Sequence, residues 1–440
     1  AVTRLRRLAA AHLLEQRDSG RYGFHDLLKA YALRTTSEED SEDDRSAALH
    51  RLFGWYLATA TAAVNRIAPH RRQLPEPPRV TREFADYEEA MAWLETERAN
   101  LLAAITESER RGWDTTVWKL THTLARYFHI RTYLPDWLNT HETALGAARR
   151  LGDRWAEAEM LTSLAIANQY YGQHRQAIEC FHRALELRGE LGDRLGEGNT
   201  RNSLGIACYK SGDHDLALGH YERSLRLYRE VGDPRGQAAA TNNLAVVLKR
   251  LGRYADALRY QRDALELSRR LQEPHVEASC WDNLGVIHQR LGQASEAIEC
   301  HERAIVWQRQ YGDEQGEAMA TANLANAHRL LGRPAEALDR LGRVVDTARR
   351  LGHRDTQSHV HNSMGEAHHD AGDLERALEE HREALAIAEA SSNPYEQARA
   401  HQGIARALRD PAGSHWRRAV ELYDQLGAVE ADEMRAEVAR

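Results

Sequence analysis

The stretch VGDPRGQAAATNNLAVVLKRLGRYADALRYQRDALELSRRLQ, residues 231–272, holds two helical patterns in succession. Leu244, Val247, Leu248 and Leu251 recur at the i, i+3, i+4, i+7 spacing that lines one side of a helix. Gly252 interrupts the pattern, as a glycine past a helix C-terminus does, and Ala257, Leu258, Leu265 and Leu267 carry a second helix. Upstream, Asp233 suits an N-cap and Pro234 the first helical position.

The same unit returns along the chain. LGDR at Leu151 recurs as LGDR at Leu191, VGDPRG at Val231, LQEPH at Leu271, YGDEQG at Tyr311, LGHRD at Leu351 and SSNPYEQ at Ser391, always 40 residues on. Two further ladders keep the phase: Gly172, Gly212, Gly252, Gly292, Gly332 and Gly372, and Ala177, Ala217, Ala257, Ala297, Ala337 and Ala377. Self-similarity at this period signals a solenoid of stacked helical hairpins, and the small residues fall where two helices cross.

Leu284, Gly285, Gly292, Ala297 and Ala304 fit the pattern of the tetratricopeptide repeat (TPR), which the chain resembles from about Arg154 to Ala390. The resemblance implies an all-α, right-handed helical-hairpin solenoid with six repeats over residues 151–391. A degenerate first repeat, 113–150, ends in WLNTHETALGAARR, and a shortened capping repeat, 392–440, contains WRRAVELYDQLG. Terminal repeats are expected to vary because they cap the array.

The first hundred residues differ. PHRRQLPEPP holds four of the ten prolines and predicts a stiff linker, opening a connecting segment over 69–112. Before it, HLLEQRDSGRYGFHDLLKAYA predicts strand, a turn at Asp18-Ser19-Gly20, strand and helix, with Phe24, Leu27, Leu28 and Tyr31 at helical spacing. SEEDSEDD, residues 37–44, is expected to be a solvated loop. A helix, a hairpin and a helix over 1–68 amount to the later half of a winged helix.

Within that segment, Phe24-His25-Asp26 resembles the MHD motif of NB-ARC-type signalling NTPases of the STAND class. Together with ALHRLFGWYLATATAAV, AMAWLETERANLLAAI and the repeats, it is similar to the AfsR-type regulators, large members of the Streptomyces antibiotic regulatory protein family. The resemblance implies that His25 reaches the β-phosphate of ADP in the parent's NTPase and that Asp26 buttresses the helix start. It also implies an intramolecular NTPase partner and a role in autoregulation of antibiotic biosynthesis. No G-x-x-x-x-G-K-[ST] phosphate loop occurs, so no nucleotide cofactor is expected here. The alternative is that His25 and Asp26 merely open a helix, where Asp is favourable. No nucleophile or oxyanion donor accompanies the pair, and no enzymatic activity is expected.

Composition narrows the rest. The formal charge of the 440 residues is -7, so no global basic field draws the chain to nucleic acid or anionic lipid. Residues 1–66 carry nearly equal numbers of basic and acidic side chains, too balanced for useful DNA affinity. No apolar run approaches the ~18 residues of a membrane span. Cys180, Cys208, Cys280 and Cys300 form no C-x-x-C pair and predict buried, reduced thiols in a cytoplasmic protein. The opening AVTRLRRLAAAHLLEQ, without initiator Met or signal peptide, is read as a piece of a longer chain.

A protein or peptide partner is expected along the concave face. Asn243, Asn283 and Asn323 share one phase, with Asn202 and Asn242 one residue earlier. An amide both donates and accepts, so it can grip an extended backbone of any sequence; the competing reading is a solvated polar face. Three residues on, Ile166, Ile206, Val246 and Val286 make an apolar floor that turns polar at Asn326 and Glu366. Lys210, Arg250 and Arg290 edge the same face and favour acidic groups, or else are solvated cations. His288, His328 and His368 also share a phase, but neighbouring copies stand about 10 Å apart, too far to chelate one ion, and packing is the expected role. Two rivals to the regulator reading remain: the sensor of an anti-phage STAND NTPase, and a stand-alone TPR scaffold.

Overall fold

The computed structural model describes residues 2–17, 21–24, 26–79, 82–391, 393–411 and 413–438. They form two compact units, Ala1–Ala167 and Asn168–Arg440.

The first unit opens with α1 (Val2–Ala10), a hairpin of β1 (Glu15–Arg17) and β2 (Arg21–Gly23), and α2 (Asp26–Glu39). The strands pair antiparallel, Gln16 opposite Tyr22. The order of elements is the one read from the sequence; the turn residues and His25 lie outside the described residues. α3 (Glu42–Ile67), α4 (Tyr87–Arg110), α5 (Asp114–Arg131), α6 (Leu134–Leu151) and the start of α7 (Arg154–Tyr170) follow. Their core gathers Phe53, Val64, Leu94, Leu101, Trp118, Tyr127, Phe128 and Trp137. The proline-rich stretch forms turns and bends without helix or strand, yet its Leu74, and Phe84 a few residues on, join that same core.

The acidic run 37–44 is a correction to the expected loop: it ends α2 and begins α3 with a single bend at Asp40. The Ser41 hydroxyl accepts from the Asp44 amide at 3.1 Å. Glu42, Asp43 and Asp44 then fill the first turn, where negative charge meets the positive end of the helix dipole.

The second unit is a file of hairpins: α8 (His174–Leu191), α9 (Arg194–Lys210), α10 (His214–Val231), α11 (Pro234–Arg250), α12 (Tyr254–Arg270), α13 (Pro274–Arg290), α14 (Ala294–Gln310), α15 (Glu314–Leu330), α16 (Pro334–Leu351), α17 (Arg354–Asp370), α18 (Leu374–Ala390), α19 (Pro394–Ala407), α20 (Ser414–Gln425) and α21 (Glu430–Val438). The caps follow the sequence. Asp233 accepts from the Arg235 amide at 3.2 Å with Pro234 next in line, and Asn393 does the same for α19. Gly252 adopts the left-handed φ of 70° that turns the chain from α11 into α12.

The alternation of Gly and Ala within the first helices has a packing cause. A Cβ on Gly205 would stand 2.6 Å from the Tyr221 ring, and one on Gly365 would stand 2.7 Å from His381; His301 closes on Gly285 in the same way. Where the chain has Ala245 or Ala325 instead, the equivalent second-helix residue is Gln261 or Leu341, with no ring. All five second-helix residues are buried; the first copy departs from the pairing, with Ala165 and the buried ring of Phe181 at the same two phases.

Candidate functional site

Repeat phase sets what the odd-numbered helices show to one another. Residues at phase two of one copy meet residues at phase three of the next. Asn243 donates to Asn202 Oδ1 at 3.0 Å, Asn283 to Asn242 Oδ1 at 3.5 Å, and Asn323 to both oxygens of Asp282 at 3.2 and 3.0 Å. Gln261 adds a 3.0 Å bond to Asn242 Oδ1. The asparagine row therefore stitches neighbouring repeats together, and each amide keeps only part of its capacity for a ligand. Three residues further along, Val246, Val286, Asn326 and Glu366 are half-buried, as a shared inner face requires.

That face widens into a cavity of about 1210 Å³, with walls from α11, α13, α15, α17 and α19 and a rim from α21. Of the residues singled out in the sequence, Arg250, Asn283, Val286, Arg290 and Asn323 line it; Asn202, Asn242, Asn243, Val246 and Lys210 do not. Lys210 lies over the Tyr170 ring at 5.1 Å. Asp26 is exposed at the first turn of α2. His288, His328 and His368 are buried, and among the described residues no three metal-ligating side chains converge. The four cysteines are free thiols, three of them buried.

Much of the lining is ionic. The Arg399 guanidinium donates to Glu366 Oε1 at 2.8 Å and to Ser363 Oγ at 3.1 Å, and its Nη1 lies 3.4 Å from Glu396 Oε2. Arg329 reaches Asp370 at 2.7 Å and Glu366 at 3.4 Å. His359 sits between Glu396 Oε1 and Asn323 Oδ1, at 3.1 and 3.2 Å. Burial opposes the charge on Glu396, but Arg399 and then His359 outweigh it and hold the carboxyl at about 2. Asp282 is likewise kept low against its burial, first by the hydrogen bond to His301 at 2.7 Å.

Lys249 stands apart. Burial pushes its ammonium down to about 8, helped by Arg250 and Arg290. Its ammonium lines the cavity and, among the described residues, makes no side-chain hydrogen bond or ion pair. Sequence reasoning passed over it, although Lys249, Gln289, Arg329 and His369 form a ladder of their own one residue before the Arg250 phase. Glu430, by contrast, lies in the cap, where no repeat phase pointed to it.

Comparisons with known proteins agree with this architecture. The tetratricopeptide repeat family model matches residues 156–230, 236–305 and 278–350. The regulatory protein AfsR of Streptomyces coelicolor is 38% identical over 113 residues, 24% of this chain and 11% of that protein. AfsR of Streptomyces griseus is 30% identical over 190 residues, 42% of this chain and 19% of that protein. The chain thus spans a fifth or less of the curated relatives it matches. Among solved structures, a STAND protein with a tetratricopeptide repeat sensor from Pyrococcus horikoshii superposes with a TM-score of 0.60 at 14% identity, covering 99% of this chain and 59% of that one. A Rap protein complexed with competence and sporulation factor gives 0.56 at 15% identity, covering 80% and 96%. The chain carries tetratricopeptide repeats in an all-helical solenoid, a protein-interaction fold. No described helix is long and apolar enough to cross a membrane.

Proposed function

We propose that the chain is the sensing and autoregulatory part of a transcriptional regulator of secondary metabolism, and that a protein or peptide segment bound on the inner face of its repeats is the signal. The observation that carries this reading is the inner-face cavity, walled by five successive first helices and holding a buried cation, Lys249, whose ammonium makes no ion pair among the described residues. A cleft of this size with a few convergent polar groups is a binding site by shape and chemistry. The likeness to AfsR supports the regulatory setting, and the Rap complex offers a precedent for a signalling factor bound to such a solenoid.

In the intact regulator, the helix–hairpin–helix at the N-terminus would be the later part of a winged helix. His25 and Asp26 would there serve an NTPase that holds ADP or ATP, while this chain itself binds no nucleotide and catalyses nothing. Ligand in the groove would shift a closed, ADP-bound state towards an open one, which requires unequal affinity for the two.

The test is a random peptide library selected on the full chain, with the chosen peptides re-measured on Val286→Arg. Val286 lines the cavity without joining the asparagine row, so the arginine fills the floor and leaves the ladder intact. Affinity should fall at least a hundredfold. Peptides that bind the variant as well as the wild type would place the interaction elsewhere and sink the reading.

A further inference from the structure

The C-terminal helix is docked on two sides. Towards α19 and α20 it buries Ala431 and Met434 against Trp416 and Tyr423. Towards the cavity it presents Glu430, Glu433 and Glu437, spaced three and four residues apart and so aligned on one face.

Each of these carboxylates meets a cation or phenol of the inner face. Glu430 takes Arg290 across 140 residues of sequence and accepts from the Tyr395 hydroxyl at 2.8 Å. Arg290 also lies 3.7 Å from Glu433, and Arg406 is 2.6 Å from Glu437. Arg250 stacks on the Tyr395 ring at 3.6 Å, completing the cationic floor beneath Glu430.

The turn before α21 is fitted as closely. A Cβ on Gly212 would come within 2.5 Å of the Gln425 carbonyl, and one on Gly252 within 3.3 Å of Val429. The C-terminal segment therefore reaches back to the turns between α9 and α10 and between α11 and α12.

The fit is incomplete in two places. Glu430 is 8% exposed, yet its Oε2 has no hydrogen-bond partner. Lys249, on the same floor, is faced by Asp282 and Glu430, but among the described residues its ammonium has no carboxylate within ion-pair distance.

We propose that α21 is a stand-in, held in cis, for the groove's ligand, and that the groove takes a helical segment of a partner protein whose face carries carboxylates at the spacing of Glu430, Glu433 and Glu437, with one more for Lys249. This rests on the groove reading above and names its occupant. A tethered segment competes at an effective concentration of order millimolar, so a partner in trans must bring a contact that the tether lacks. Lys249 supplies it.

The probe is a fluorescein-labelled peptide of residues 426–440, titrated by polarisation into the full chain and into Glu430→Gln/Glu433→Gln/Glu437→Gln. The variant's own cap can no longer pair, so it should bind the peptide at least tenfold more tightly than wild type. A peptide with glutamine at the same three positions should lose that gain. Circular dichroism checks that the variant folds; if it does not, Glu433→Gln/Glu437→Gln, at two half-exposed positions, should give the same order of affinities with a smaller spread.

A second arm uses the library-selected peptides. These should be rich in Asp and Glu, and Lys249→Met should weaken them about tenfold, a larger loss than the 426–440 peptide suffers. Their affinity should also fall as pH rises through about 8, where Lys249, faced by Arg250, Asp282, Arg290 and Glu430, gives up its proton.

Equal binding of the glutamine and glutamate peptides, or no gain in the triple variant, would overturn the proposal. Selected peptides that are sensitive to Val286→Arg but not acidic would overturn it while leaving the groove reading in place.

Discussion

Between α9, α11 and the start of the α13 row the asparagine contacts are neutral: Asn202 and Asn242 accept from Asn243 and Asn283, with Arg250 donating to the Tyr209 hydroxyl beside them. In α13–α19 the same repeat phases hold Asp282 bonded to His301 and Asn323, then Asn362 bonded to Glu396 and His381, with Arg399 between Glu366 and Glu396. One backbone repeat thus carries two kinds of seam. A neutral amide pair is nearly indifferent to pH and is worth roughly 0.5–1.5 kcal/mol per bond. A buried ionic cluster is stable only while every member is present, because removing one leaves a partner's charge without compensation.

The sharpest way to break the comparison is one deletion in each seam. Arg399→Met keeps the apolar stem but strands Glu366 and Glu396, and should destabilise the chain by about 3–5 kcal/mol. Asn243→Ala removes one amide bond to Asn202 and should destabilise it by about 1 kcal/mol. Urea unfolding of the full chain reads both. Equal losses would mean that the ionic seam is no more demanding than the neutral one.

Acid should separate the halves next. His381 is buried, and that burial pushes it down to about 4 despite Glu366 nearby; Arg399, His369 and Glu380 also face it. Its folded value is below the unfolded one, so the unfolded chain takes up the proton first. Stability is whole above about pH 6.5 and is lost as pH falls towards 4, by about 3 kcal/mol at the end of that window. Glu396, held at about 2, adds a further loss below pH 4.5. His214 and His220 in the α9–α12 half are also lowered by burial, and Arg201, paired with Glu197 at 2.8 Å, faces His220, but neither histidine belongs to the asparagine row that joins those repeats. Hydrogen exchange at pH 5 should therefore show α17–α19 losing protection before α9–α12. The reverse order would contradict the assignment of the acid-sensitive seam.

The sequence carried the hairpins, because a 40-residue period multiplies each weak local signal: Gly252, Ala257 and Asp233-Pro234 each mean little alone. It carried the inner face too, since Val246, Val286, Asn326 and Glu366 share a phase and all prove half-buried. The division of the asparagines was not legible. Whether Asn243 serves a ligand or Asn202 depends on the rise from one hairpin to the next, which is a packing quantity. The acidic run at 37–44 misled for a related reason: its composition suits a loop, but Ser41 placed three residues before Asp44 makes a helix start. The α21 contacts were invisible because Arg290 and Glu430 meet only after three further hairpins, α15–α16, α17–α18 and α19–α20, have turned the array back on its own inner face.

The smallest expected effect lies at the joint between the two halves, in the turn from α12 to α13. The equivalent turns use Gly232, Gly312 and Gly352, at φ of 70°, 69° and 69°. Here the chain has Gln272 at φ 55°, with its amide bonded to the Arg269 carbonyl at 3.1 Å. A side chain in the left-handed region costs roughly 1–2 kcal/mol through the clash of Cβ with its own backbone. Gln272→Gly relieves that strain but loosens the unfolded chain by about 0.4–1 kcal/mol. The glutamine side chain is exposed, so little packing is lost. The net gain should be about 0.5–1 kcal/mol, seen as a roughly two- to fivefold slowing of amide exchange. Because stability in a solenoid is a sum of repeat and neighbour terms, α12 and α13 should gain together. Slowing confined to one side of residue 272 would show that the neutral and ionic halves open independently, and a destabilised variant would show that Gln272 is not strained at all.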